Sequence, residues 1–176
     1  MFSDNSLLPK EAVRLAALGM VSESPQRYAE LANAVRDFTS RIVGPSLELL
    51  GSSIELLKTE GLIAGETSVQ DAPLRITEAG RAHLRDLLRS AVRAPSCDVG
   101  RLAFALKIRF LHHLPADEQR TQTDSMIETC EAEIARLGAL EHSDPTDPGH
   151  FAGWLSHDID IVRSRRDWLQ SLRGTL

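Results

Sequence analysis

The stretch from Gly44 to Thr77, GPSLELLGSSIELLKTEGLIAGETSVQDAPLRIT, restricts the fold more than any other part of the chain. Leu47, Leu50, Ile54 and Leu57 recur at spacings of three and four, which predicts a helix over roughly 45–60 with one apolar face. Gly61 then stands where a helix ends on a residue that tolerates the left-handed conformation. Leu62-Ile63-Ala64 and Leu74-Arg75-Ile76 read as two short strands, and the segment between them, 65–73, is polar and holds turn formers. Helix, glycine stop, strand, loop, strand leaves few arrangements. The most direct is a helix laid beside a small β-hairpin, with the rest of the chain as support.

That support reads as helical on both sides. Leu8-Pro9-Lys10-Glu11 opens a first helix, since proline costs nothing at a position whose N–H has no partner, and Val13, Ala16, Ala17 and Met20 continue it. Ser22-Glu23-Ser24-Pro25 breaks the pattern. A second helix is expected from about Gln26 to Phe38, interrupted by Thr39-Ser40-Arg41 and Gly44-Pro45. Thr77 is the expected N-cap of a fourth helix through Leu84, Leu87, Leu88 and Val92. Ala94 to Asp98 is the expected link to three further helices: about Val99–Leu114, a second restarting at Pro115 with Asp117 and Glu118 favourable at its N-terminal dipole, and a last one from about His150 to Arg173. HSDPTDPG, 142–149, separates the last two.

A chain of 176 residues suits one or two domains. Its apolar runs are too short for a membrane-spanning helix, and its first residues lack the pattern of a signal peptide. Cys97 and Cys130 are too few for a disulfide framework, so a reduced, cytoplasmic setting is expected. The net charge is −5. Residues 1–93 hold 11 Lys/Arg and 12 Asp/Glu, and residues 94–176 hold 9 and 13, so the acidity sits mainly in the second half. That balance speaks against a protein that coats nucleic acid indiscriminately, yet allows a local reader of it. No phosphate loop, nucleophile elbow or supported carboxylate pair points to an enzyme. His112-His113, His142, His150 and His157 lack the spacing of metal ligands on a helix and read as surface or interface residues. Cys130 lies on an apolar stripe and reads as core; Cys97 reads as linker.

The order of elements in 44–77 is that of a winged helix-turn-helix, whose exposed helix enters a DNA major groove while basic residues hold phosphates. On that reading the candidate DNA contacts are Arg27, Arg41, Ser46, Glu48, Leu49, Ser52, Ser53, Lys58 and Arg75, with further positive charge from Arg36 and Arg81. Glu48, Glu55 and Glu60 against one lysine on the same helix leave room for a winged helix that meets protein instead. In the second half, Phe104, Phe110, Phe151, Trp154, Ile161 and Trp168 could form a dimer interface or line a pocket for a flat apolar ligand. The spacing of seven between Trp154, Ile161 and Trp168 suits a helix–helix contact with a second copy.

Three segments resemble the PadR-like transcriptional regulators. Leu15-Ala16-Ala17-Leu18-Gly19-Met20-Val21-Ser22-Glu23-Ser24-Pro25 with Tyr28-Ala29-Glu30-Leu31 is similar to the family's first helix, turn and second helix. Leu57-Lys58-Thr59-Glu60-Gly61-Leu62-Ile63 is similar to its helix end, and Leu74-Arg75-Ile76-Thr77-Glu78-Ala79-Gly80-Arg81 to the end of its wing. Glu48-Leu49-Leu50-Gly51 departs from the family, whose recognition helix usually opens with a tyrosine in this segment. The resemblance implies a mostly α fold: a winged-helix DNA-binding domain over 1–93 and a three-helix dimerisation domain, with a possible effector site, over 99–176. It implies a homodimeric regulator, a repressor, that binds a palindromic operator in double-stranded DNA and responds to a small hydrophobic or aromatic ligand. The expectation includes no cofactor, no metal and no membrane partner. A winged-helix protein-interaction module with no operator is the alternative.

Overall fold

The computed structural model of the chain describes residues 7–44, 50–65, 71–92, 97–141 and 149–176. Among them the elements run α1 (Pro9–Glu23), α2 (Tyr28–Val43), α3 (Leu50–Thr59), β1 (Ile63–Ala64), β2 (Arg75–Ile76), α4 (Glu78–Arg89), α5 (Asp98–Phe110), a 3-10 turn (Leu111–His113), α6 (Ala116–Glu141) and α7 (Phe151–Arg173). The fold is mostly helical with one small antiparallel hairpin, as the residue pattern predicts.

α1 is the central post of the first half. Its residues from Leu15 to Val21 are all buried, so it is covered on nearly every side, by α2, α3, α4, α5 and β2. Alanine and glycine in this run let neighbours approach. The clearest case is Gly19: the Phe110 ring occupies the space a Cβ would need, which seats α5 directly on α1. The start of α1 is held by Glu11, whose carboxylate accepts from the Leu8 N–H at 2.7 Å. Glu30 does the same for Arg27 N–H at 3.0 Å at the start of α2.

α2 runs five residues beyond the expected end. Thr39-Ser40-Arg41 does not break it. Thr39 is buried on the same side as Leu31 and Val35, and Ile42 packs against the core, so the apolar stripe continues. Ser40 Oγ donates back to Asp37 O at 3.0 Å and Arg41 pairs with Asp37 one turn earlier. Helical periodicity outweighs the modest helix preference of Thr and Ser here. Gly44, with φ +85°, ends the helix. The 45–49 part of the expected third helix, the 66–70 part of the wing, the 93–96 part of the link and 142–148 lie outside the described residues.

The EGLI and LRITEAGR motifs are two halves of one joint. Leu62 N donates to Leu57 O at 2.9 Å and Gly61 N to Lys58 O at 3.0 Å, with Gly61 at φ +71°. This is the paired closure that ends a helix on a left-handed glycine. The hairpin pairs Ile63 with Ile76 and Ala64 with Arg75. A third short piece joins it: Gln26 and Leu74 exchange both backbone bonds, at 3.2 and 2.7 Å. Thr77 then caps α4, accepting from Gly80 N at 3.0 Å while its hydroxyl donates to Gly61 O at 2.8 Å. A Cβ on Gly80 would collide with Leu62 O, so glycine is required where α4 crosses the end of α3.

α6 and α7 form an antiparallel pair. Arg173 near the end of α7 reaches Asp124 in the first half of α6 at 2.8 Å, and Arg120 donates to the Leu176 carbonyl at 2.6 Å. Met126, Cys130 and Leu137 of α6 bury against Leu155, Ile159, Val162 and Leu169 of α7. The pair is tied to the first half by Arg89 of α4, which grips Glu118 at 2.8 and 3.0 Å, and by Lys107 of α5. Lys107 is 2% exposed, and its Nζ donates to Leu88 O at 2.5 Å and Gln122 Oε1 at 2.7 Å.

Candidate nucleic-acid interface

Ile54 and Leu57 are 0% exposed and define the inner face of α3. At 100° per residue the outer face is then Glu55, Leu56 and Thr59, and Ser52 falls on it by position. All three described residues are exposed, Leu56 at 50%. Lys58 is exposed on a flank. Of the expected contacts, Ser46, Glu48 and Leu49 lie outside the described residues, and Ser52 and Ser53 lie on α3 outside the described side chains.

The basic residues divide into two groups. Arg27, at the N-cap of α2, and Arg75, on β2, flank the Gln26–Leu74 bridge and both are exposed at the root of the wing. Arg27 lies 3.9 Å from Asp71. Arg41 lies at the other end of α2, held by Asp37 at 2.9 Å and open to solvent. Arg36 bonds Asn33 at 3.1 Å, and Arg81 on α4 is exposed. These exposed ion pairs are weak in water, so the guanidinium groups can exchange a neighbouring carboxylate for a phosphate.

Glu60, one of three acids that weigh against α3 as a DNA reader, is already matched. The Arg14 guanidinium grips both its oxygens and holds its carboxyl below the usual range. His83 sits 3.3 Å from the same arginine, and burial, with Arg14 beside it, pushes the His83 pKa down. Arg14, Glu55 and Leu56 were not among the expected functional residues. The helical phase set by Ile54 and Leu57 carries the signal for the last two. Nothing in the sequence places Arg14 against Glu60, because the two are joined only by packing.

The aromatic set separates into three. Phe104 is buried beneath the Arg165 guanidinium, 5.6 Å from its ring centroid, and with Ile42, Arg101, Ile108 and Trp168 lines a groove of about 370 Å³ between α2, α5 and α7. Phe151 and Trp154 stack at 5.7 Å at the start of α7. Trp154, Ile161 and Trp168, exposed by 56%, 46% and 52%, form a second apolar stripe about a third of a turn from the residues that face α6, with Trp168 at the edge of that groove. Phe110 does not belong with them. It is 0% exposed, packed against Gly19 with Arg109 over its ring at 5.1 Å. Its large ring fills the gap left by glycine at the α1–α5 crossing, a core role that neither an interface nor a pocket could share.

His113 Nε2 lies 3.0 Å from Ser22 Oγ, and its ring is 4.2 Å from that of His112. Burial, then the neighbouring His112, lowers its pKa. Among the described residues no group of three or more His, Cys, Asp or Glu is placed to hold a metal, and no helix is long and apolar enough to cross a membrane. Cys130 is buried and its thiol pKa is pushed up by burial. Cys97 is exposed and caps α5, its Sγ accepting from Gly100 N at 3.3 Å.

A helical head with a two-stranded wing and a long helical pair behind it make up the architecture of a winged-helix protein. Residues 2–173 match the family described as "Putative AphA-like transcriptional regulator", and the chain belongs to that family. The match agrees with the regulator resemblance in the motifs. No functionally curated protein matches the chain. Three solved structures of Bacillus subtilis PadR are similar to it. PadR in complex with operator DNA is 17% identical, over 92% of this chain and 97% of that chain, with a TM-score of 0.39. PadR alone is 16% identical over 97% of each, at 0.41. PadR in complex with p-coumaric acid is 17% identical, over 93% and 98%, at 0.40.

Proposed function

We propose that this transcriptional regulator is a homodimeric repressor acting in the cytoplasm on a palindromic operator, with 1–93 as its DNA-binding domain and 99–176 as its dimerisation domain. The observation that carries this reading is the pair of outward faces left uncovered: α3 with Arg27 and Arg75 beside it on the head, and the Trp154/Ile161/Trp168 stripe on α7. Exposed tryptophan and isoleucine in register along one helix match a partner helix better than water. A two-fold pairing through α7 would hold two heads at a fixed separation, and two recognition helices read half-sites about one DNA turn, roughly 34 Å, apart. The groove lined by Phe104 and Trp168 touches Ile42 of the head and Leu169 of α7. A small apolar or aromatic effector seated there would act through its differential affinity for two head orientations.

A mobility-shift series with the full chain and its own upstream DNA, at several salt concentrations, tests the DNA reading. Retarded complexes whose affinity falls steeply with salt are expected. Absence of a shift at low salt would instead support a protein-interaction module, the reading favoured by the acid Glu55 on the outer face of α3, whose side chain has no partner among the described residues.

A further inference from the structure

Glu55 has no hydrogen-bond or ion-pair partner for its side chain among the described residues, whereas Glu11, Glu30, Asp37 and Glu60 all have one. It is exposed on the outward face of α3, which on the DNA-binding reading approaches the phosphates, where an unneutralised carboxylate is repelled. Leu56 beside it is half exposed, the one large apolar side chain on this face among the described residues. Thr59, the third outward residue, spends its hydroxyl on Glu55 O at 2.9 Å within the helix. Among the described side chains of this face, two groups are therefore left to meet a base edge, one acceptor only and one apolar.

Each has one good counterpart in the major groove. On its own base the cytosine N4 amino group donates with only the C5 hydrogen beside it, while the adenine N6 donor sits beside the N7 acceptor of the same base, which repels a carboxylate. The thymine methyl is the apolar feature of the groove. We propose that Glu55 and Leu56 determine specificity on the described face of α3, Glu55 accepting from a cytosine amino group and Leu56 packing on a thymine methyl of a nearby base pair. This rests on the DNA-binding reading above. It also turns the acid on the helix from an obstacle into a selector, because Glu55 is tolerated only on duplexes that supply the donor.

The test is selection from a randomised duplex pool with the full chain as wild type, Glu55→Gln and Leu56→Ala, followed by titration on the winning site with single thymines replaced by deoxyuridine. Both residues are exposed, so the variants keep the wild-type melting temperature within a degree or two. Wild type is expected to enrich a site with one required cytosine and one required thymine. Glu55→Gln is expected to change the preferred base at the cytosine position to adenine, by roughly tenfold, since glutamine pairs with adenine N6 and N7. Deoxyuridine at the thymine position is expected to weaken wild type about fourfold, the worth of one buried methyl, and to leave Leu56→Ala unchanged. Binding with unaltered base preferences in both variants overturns the proposal and leaves the DNA-binding reading standing. Failure of wild type to bind any duplex at low salt overturns both.

Discussion

Replacing Lys107 by methionine measures what a buried ammonium costs at the joint between the head and the α6–α7 pair. Burial lowers the Lys107 pKa from its ordinary 10.5 to about 8, a drop worth about 3 kcal/mol. The unfolded chain keeps the ordinary value, so between pH 8 and 10.5 it binds more protons than the folded chain, and stability rises with pH across that window. The bonds to Leu88 O and Gln122 Oε1 survive deprotonation, because a neutral amine still has two hydrogens to donate. Methionine of similar length removes the charge penalty and leaves the two oxygens without their donor, at a cost of about 1–3 kcal/mol. At pH 7 the variant should therefore equal or exceed wild type. By pH 10 wild type has recovered most of its penalty and should have gained about 2 kcal/mol on the variant. Urea denaturation followed by circular dichroism at pH 7, 8.5 and 10 gives both curves. Parallel curves would refute the claim that the buried charge is penalised.

Gly19→Ala forces a methyl into the Phe110 ring and should cost about 1–3 kcal/mol, read as a fall of roughly 2–10 °C in melting temperature; an unchanged Tm would mean that the α1–α5 crossing is loose. His113 has a folded pKa below its ordinary value through burial, so the unfolded state takes up the proton first, and stability should fall as the pH drops from 6.5 through the lower folded value. His113→Gln should flatten that decline between pH 6.5 and 5, with part retained through His83, and an identical slope in the variant would contradict it. Ile161→Asp in the middle of the outer α7 stripe should convert the proposed dimer to a monomer in sedimentation equilibrium and red-shift emission from Trp154 and Trp168, the two tryptophans of the chain. Unchanged mass and emission would remove α7 from the interface.

Much of the head was legible because its signals are local. Gly61 is demanded by a left-handed helix end whose bonding partners lie a few residues away, whereas Gly80 is demanded by the Leu62 carbonyl of a neighbouring element, which packing alone brings to it. Thr77 as a cap and Pro9 at a helix start are equally local. The length of α2 was misjudged because Thr39, Ser40 and Arg41 were weighed by intrinsic preference, while burial of Thr39 and the Asp37–Arg41 pair settled it. Phe110 was misplaced for a related reason. An aromatic residue in an apolar helix reads the same whether it faces a groove or a glycine ninety-one residues earlier.

The sequence by itself determined the class of fold, since the helical repeat of three and four, the glycine stops and the short β-branched strands act over distances of a few residues. Tertiary structure alone decided which charges are free. Arg14 reaches Glu60 across 46 residues, Arg89 reaches Glu118 across 29, and Lys107 is sealed between α4 and α6. The physical reason is that charge pairing and burial depend on which helix faces meet, and that is set by packing in three dimensions. The same packing leaves Glu55 and Leu56 exposed on α3, where the acids had left room for a protein partner in place of DNA.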